Sequence, residues 1–313
     1  MVLVTGGAGF IGLNVVEQLV ARGDDVAVVD LAAPKVPGAV FHRGDTTDVA
    51  RLDEIFEKVR PRAVMHLAAI TASTERDAKE PQLVAQVNLV GTLNVLEAAK
   101  KRGVKRFVHA STGAVFGPAG IGAAAPLRED HRVEPVSMYA ITKYAGERAA
   151  LRMADLWKLD VRVGRLAMVY GKWEHATHAR DVLSPPTEIA KIALEGGEAV
   201  FPPLGDIDNI YAPDQASALI ALLDAAQPKH RLYHPGTGGA WPLPAWCALL
   251  KKRFPSFRWR ESDKLNECNV RPLSPGTRTR FDNRRLVEDL GWKARFDVAS
   301  SCDDFVSWLE KHA

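Results

Sequence analysis

Tyr139 and Lys143 stand four residues apart in a stretch, 139–156, whose apolar spacing predicts a helix, so both side chains fall on one face. A phenol with an ordinary pKa near 10 is a poor base at neutral pH. A neighbouring ammonium favours the phenolate and brings the group toward working pH. Upstream, Ser111 and Thr112 follow a predicted strand at 107–110. A hydroxyl at the carboxyl end of a strand can hydrogen-bond a reacting oxygen. These residue types together suit proton transfer at an alcohol or carbonyl oxygen.

A second constellation lies at the N-terminus. Thr5-Gly6-Gly7-Ala8-Gly9-Phe10-Ile11-Gly12 joins a strand to a helix. Gly6, Gly9 and Gly12 have separable tasks: a tight turn, close approach of backbone to a pyrophosphate, and close helix–strand packing. The helix N-terminus then faces the phosphates with its partial positive charge. The next strand ends in Asp30, a carboxylate placed to accept from adenosine ribose hydroxyls and to repel a 2′-phosphate. Leu31-Ala32-Ala33 follows, with no Arg, so the cofactor expected is NAD and not NADP.

Those groups need a scaffold, and the first half of the chain alternates strand and helix patterns. Strands are expected at Val2–Thr5, Val26–Asp30, Val40–Arg43, 63–67, 107–110 and 161–166. Helical patterns fall between them, including one long helix over 81–102. Strands apolar on both faces, separated by helices, predict an α/β fold: a doubly wound parallel sheet of the Rossmann type. Beyond residue 170 the pattern loosens into a polar loop at 172–186 and short helices near 186–196, 213–226, 244–254 and 299–311. The expected division is a dinucleotide-binding domain over 1–170, with strands returning from later residues, and mainly a substrate-binding lobe over 171–313.

Composition narrows the function classes. The 313 residues carry 41 Lys+Arg against 38 Asp+Glu, a net charge of +3 without long basic runs, so no nucleic-acid partner is expected. No stretch of about 18 apolar residues occurs, so no membrane span is expected. Residues 1–5 run straight into glycine without a basic or long apolar leader, so no signal peptide is expected. Cys247, Cys268 and Cys302 are scattered and odd in number, which fits a reducing cytoplasm and no disulfide framework. His175 and His178 stand three apart without a further ligand set, so no metal site is expected.

With these motifs together the sequence resembles the extended short-chain dehydrogenase/reductases, the NAD-dependent epimerase/dehydratase family. The matching stretches are TGGAGFIG at 5–12, GDTTD at 44–48, MHLAA at 65–69, VNLVGTLNVLEAA at 87–99, HASTGAVFG at 109–117, YAITK at 139–143 and VYG at 169–171. The resemblance implies roles. Gly9, Phe10 and Ile11 would hold the pyrophosphate by their backbone, and Asp45 with Thr46 would contact adenine. Leu67, Ala68 and Ala69 would line the cofactor path, and Asn88 would order the site from below. Thr112 takes the Ser/Thr position, Tyr139 the acid/base, and Lys143 the nicotinamide ribose. Ser111 is read as structural. The family also implies a homodimer through the helices near 81–102 and 139–157.

The chain departs from the family at the substrate side. Dehydratases carry an Asp-Glu pair after the catalytic Thr; here Gly113 and Ala114 stand there, which disfavours elimination of water. Nucleotide-sugar members usually have Asn before VYG and an Arg ahead of an aspartate like Asp214. This chain has Met168 and the acidic stretch Gly205-Asp206-Ile207-Asp208-Asn209, with Arg271, Arg278 and Arg280 as other cations. In the loop after VYG, Trp173 could stack on a sugar while His175, His178 and Arg180 cup an anion. Two enzyme readings stay open: a nucleotide-sugar epimerase, and a dehydrogenase of a small sugar, polyol or sugar acid. A non-catalytic dinucleotide sensor is the third class, disfavoured because Thr112, Tyr139 and Lys143 are all kept.

Overall fold

Each strand of the N-terminal half turns alternate apolar side chains toward two different cores. In the computed structural model, which describes residues 1–271 and 276–312, Val2 and Val4 of β1 (Val2–Thr5) join one buried cluster and Leu3 another. In β2 (Val26–Asp30), Val26 and Val28 take the first side and Ala27 and Val29 the second. Strands apolar at every position are buried on both faces, the condition of an internal parallel sheet. The further strands are β3 (Val40–Arg43), β4 (Ala63–His66), β5 (Arg106–Thr112), β6 (Asp160–Leu166), β7 (Met168–Tyr170), β8 (Glu198–Phe201), β9 (Asn209–Tyr211), β10 (Leu232–Tyr233) and β11 (Arg258–Glu261). Seven of them form one all-parallel sheet in the order β10-β6-β5-β4-β1-β2-β3. The order reverses beside β1, so a crevice opens at the carboxyl edge between β1 and β4, the ligand position of doubly wound sheets.

In chain order the helices are α1 (Phe10–Ala21), α2 (Val49–Val59), α3 (Thr74–Lys79), α4 (Pro81–Ala85), α5 (Gly91–Lys101), α6 (Met138–Trp157), α7 (Pro185–Leu194), α8 (Ala212–Asp224), α9 (Leu243–Arg253), α10 (Arg284–Leu290) and α11 (Val298–His312). Helices α1 and α8 cover one face of the sheet; α2, α5 and α6 cover the other. A third core, around Tyr170, Trp246 and Phe305, gathers α7, α9 and α11. The last third of the chain therefore serves two places. Helix α8, β10 and α10 with Trp292 join the main sheet layer, while α9, β11 and α11 pack around the third core.

Two elements differ from the sequence expectation. The helix expected over 81–102 breaks into α4, a π-helical turn at Gln86–Val90, and α5. The buried side chain of Asn88 sits in that turn, with partners in other elements that a straight helix would not reach. The strand expected over 107–110 extends to Thr112, and a kinked 3₁₀ segment at Gly113–Gly120 follows directly.

One buried ion pair fixes α6 against the sheet. Glu147, fully buried, accepts from Arg165 Nη2 at 2.6 Å, Arg165 Nε at 2.9 Å and Ser111 Oγ at 2.7 Å. Arg165→Met strands that carboxylate. We expect a loss of about 3–5 kcal/mol in urea unfolding, with the Glu147→Met/Arg165→Met pair losing less. A loss below about 1 kcal/mol for the single variant would contradict this role.

Candidate active site

The glycine turn is built so tightly that side chains are excluded from it. Gly6 has φ +70°, and a Cβ there would lie 2.6 Å from the backbone N of Ala68. A Cβ on Gly12 would collide with the carbonyl oxygen of Gly6. The turn is thereby pressed against Leu67, Ala68 and Ala69, all half-buried at the exit of β4. Gly9 caps α1 without a side-chain hydrogen bond, which leaves amides at the helix head for an anion. Phe10 and Ile11 form the first turn of that helix. Asp30 faces the turn: its Oδ2 accepts from Ala8 N at 2.9 Å and its Oδ1 from Leu31 N at 2.7 Å. Asp45 Oδ1 accepts from Thr47 N at 2.9 Å, and the carbonyl of buried Thr46 accepts from Asn94 Nδ2 at 3.0 Å. A cradle that any Cβ would fill, a helix head without a cap and a carboxylate beside it fit a dinucleotide.

Helix α6 presents Tyr139 and Lys143 from an N-terminus held on two sides. Ser137 Oγ accepts from Ala140 N at 3.1 Å, and Asp77 Oδ2 accepts from Met138 N at 2.9 Å. One turn in, Thr142 Oγ1 donates to Met138 O at 2.6 Å and accepts from Asn88 Nδ2 at 3.1 Å. Asn88 also bonds both backbone groups of Ile70, at 2.8 Å and 3.0 Å. The amide therefore ties the helix that carries Tyr139 to the loop leaving β4. Thr112, the last residue of β5, accepts from Ala114 N at 3.1 Å, so its own O–H is aimed elsewhere.

Burial of Lys143, only 2% exposed, pulls its ammonium down to about 8, with Glu147 opposing. Among the described residues it makes no hydrogen bond or ion pair. Two buried histidines, paired in register on β4 and β5, share its surroundings. His66 bonds Thr5 Oγ1 at 2.7 Å and Thr92 Oγ1 at 2.9 Å, and burial holds it down to about 3. His109 stacks on it at 5.5 Å with both ring nitrogens unpartnered, and burial, Lys143 and His66 keep it neutral. Sequence reasoning missed both. The signal was there: a polar residue at one register position in two otherwise apolar strands.

The loop after β7 does not bring its predicted residues together. Trp173 packs edge-on against Trp308 and His312 and donates to Glu17 at 3.4 Å, so this ring is committed to α1 and α11. His175 folds back onto the carbonyl of Trp173 at 2.8 Å, and His178 is exposed. Arg180 alone turns inward. Its guanidinium lies 5.1 Å from the Phe10 ring centre and pairs with the carboxylate of buried Glu174. Asp181 pins the same loop to Arg76 at 2.6 Å. At the substrate side, Met168 is the register partner of Asn209, whose Oδ1 is buried and unpartnered. Arg271 and Arg280 are exposed, whereas Arg278 points toward Gly113: a Cβ there would lie 2.8 Å from its Nη1.

The Lys143 shift has a sign that stability measurements can read. Its folded pKa lies below the ordinary 10.5, so the unfolded chain holds the proton longer and stability rises between about pH 8 and 10.5. The ligand-free protein should gain up to about 3 kcal/mol from this group across that window relative to Lys143→Met. Parallel urea stability curves for the two proteins would contradict it.

The whole chain is similar to known proteins. The model of the NAD dependent epimerase/dehydratase family matches residues 2–234. A UDP-glucose 4-epimerase of Rhizobium meliloti is 36% identical, aligned over 98% of this chain and 96% of its own. The crystal structure of a Thermotoga maritima UDP-glucose 4-epimerase with UDP-glucose superposes with a TM-score of 0.83 at 28% identity, over 99% of both chains. A Thermus thermophilus UDP-glucose 4-epimerase in complex with NAD gives 0.80 at 29% identity, over 97% of this chain and 98% of that one. A Rossmann sheet, a side-chain-free phosphate turn and a match across most of the chain place this protein in the NAD-dependent epimerase/dehydratase family, among the enzymes of the extended short-chain dehydrogenase/reductase kind.

Proposed function

We propose that the enzyme inverts a secondary alcohol of a nucleotide sugar, at carbon 4 by the names of its relatives, with Tyr139 as acid/base. The observation that supports this best is that Thr112 ends β5 at the carboxyl edge of the sheet while Tyr139 and Lys143 stand four apart in the first turns of α6, in a chain aligned end to end with UDP-glucose 4-epimerases. NAD, when bound, supplies the reversible hydride acceptor. The backbone of Gly6, Gly9, Phe10, Ile11 and Gly12 would hold its pyrophosphate, Asp30 its adenosine ribose, and Asp45 with Thr46 its adenine. Leu67, Ala68 and Ala69 would border it, Lys143 would bind the nicotinamide ribose, and Asn88 would keep α6 in place.

Tyr139 takes the proton of the sugar hydroxyl as the ketone forms, and returns it after the sugar presents its other face. Lys143 favours the phenolate by charge. Thr112 donates to the same sugar oxygen through its O–H, while its Oγ1 accepts from Ala114 N. Gly113 and Ala114 offer neither acid nor base for loss of water. Residues 171–313 serve mainly as the substrate lobe in this reading, with Arg180 beside the phosphate turn.

The helices around α6 support a homodimer: Leu83, Val90, Ile141 and Leu156 are 44%, 37%, 44% and 54% exposed on α4, the π turn and α6. Three buried free thiols, and the absence among the described residues of a helix long and apolar enough to cross a membrane, suit a cytoplasmic enzyme.

Three measurements test this. Tyr139→Phe should lower the C4 inversion of UDP-glucose about 10²–10⁴-fold while NAD binding persists; retained turnover refutes the assignment. Net accumulation of reduced nicotinamide with a free sugar acid, and none of inverted nucleotide sugar, would make the enzyme a dehydrogenase instead. Val90→Arg with Ile141→Arg should give monomers by light scattering, and an unchanged mass would remove this face from the interface.

A further inference from the structure

Arg278 is an unusual group to find beside a catalytic hydroxyl. The segment carrying it is laced to the stretch after Thr112: Thr279 N donates to Gly120 O at 2.9 Å, Leu127 N to Arg280 O at 2.9 Å, and Asp282 N to Leu127 O at 2.8 Å. The guanidinium is held over the Phe281 ring at 4.9 Å from its centre. Phe281 is itself fixed by His234, stacked at 4.3 Å. Gly113 makes room for the head group: a Cβ there would meet Phe281 Cζ and lie 2.8 Å from Arg278 Nη1.

Among the described residues no carboxylate is paired directly with this cation. Arg278 forms no ion pair among the described residues, and its buried Nε has no hydrogen-bond partner. The acid that acts on it through charge is Asp208, whose Oδ2 accepts from the backbone N of Phe281 at 2.8 Å and whose Oδ1 is buried without a hydrogen-bond partner. Burial opposes the charge on this guanidinium, while Asp208 and then Tyr139 favour it, so the acid/base lies within electrostatic reach of Arg278. A planar guanidinium presents a fork of N–H donors that matches a carboxylate or a phosphate oxygen pair.

Position decides between those anions. In a pyranose reacting at C4, the diphosphate hangs from C1, across the ring from the reacting carbon. The exocyclic C6 is attached to C5, next to it. A group beside Gly113, one residue from Thr112, is placed for the substituents on carbons 3 and 5 rather than for the diphosphate, and of these only C6, on C5, can carry a carboxylate.

We propose that Arg278 is a specificity-determining residue for a carboxylate at C6, so that the preferred substrate is a nucleoside diphosphate hexuronic acid. This deepens the nucleotide-sugar reading above and rests on it.

The test uses the full chain with NAD, UDP-glucuronate and UDP-glucose, and follows C4 inversion by NMR for wild type, Arg278→Gln and Arg278→Lys. Wild type should favour UDP-glucuronate by about tenfold or more in kcat/KM. Arg278→Gln should lower that ratio about 100-fold, and Arg278→Lys should restore part of it, since charge returns without the fork. A wild-type preference for UDP-glucose, or equal losses on both substrates in Arg278→Gln, overturns the proposal. So does a matching loss of UDP affinity by calorimetry, which would assign the guanidinium to the diphosphate. Should Arg278→Gln fail to fold, the wild-type ratio and Arg278→Lys decide. Failure to invert either nucleotide sugar would overturn the nucleotide-sugar reading itself, a result distinct from inversion without preference.

Discussion

The carboxamide of Asn88 is completely buried, and a buried amide must find partners. It finds them in two elements far apart in sequence: both backbone groups of Ile70 and the hydroxyl of Thr142. Helix geometry gives way to this demand. One turn opens to π spacing at Gln86–Val90, and Thr92 Oγ1 takes up the carbonyl of Asn88 at 2.7 Å. The loop leaving β4, the helix below it and α6 thus share one polar joint. The glycine turn presses on that same loop through Ala68. The cofactor cradle and the Tyr139–Lys143 face are therefore set against a common reference, which is what a reaction needing sub-ångström placement requires.

The electrostatics around Lys143 follow from a second constraint. An ammonium buried to 2% exposure is costly, and a carboxylate bonded directly to it would relieve that cost. None does so. Glu147, one turn along the helix, is already spent on Arg165 and Ser111 and acts on Lys143 only at a distance. The neighbours His66 and His109 are held neutral by their own burial, so they add no competing charge. The result is an ammonium whose donors stay uncommitted at the price of local stability, the usual state of a group that serves a ligand. Its charge falls away above about pH 8, as desolvation dictates.

The cofactor half of the site was legible in the sequence because it is made of backbone. Gly6, Gly9 and Gly12 report where side chains cannot go, and Asp30 ends a strand at a fixed distance from them, so local pattern carries the geometry. Tyr139 and Lys143 were legible for a similar reason, since helical spacing puts them on one face. The π turn was not, because residues 81–102 have an unbroken helical pattern and the break is dictated by Ile70 and Thr142, distant in sequence. Trp173 misled for the same reason: its partners Glu17, Trp308 and His312 come from both ends of the chain. Arg278 was visible as a cation, but its direction depends on Phe281, His234 and Gly120, which no local spacing records.

That contrast explains why members of one family can share a cofactor site and still differ in substrate. The phosphate turn is a property of eight consecutive residues. In the proposed reading the substrate side draws on residues 113, 208 and 278, far apart in sequence and held by a ladder between the 120–127 and 279–282 stretches. Residues 113 and 278 are physically coupled there. With glycine at 113 the guanidinium and the Phe281 ring can close over the site; any larger residue at 113 meets both. Gly113 thus both admits the guanidinium and offers no side chain of its own, so a substitution there would change the room for Arg278 and the groups on offer at the same time.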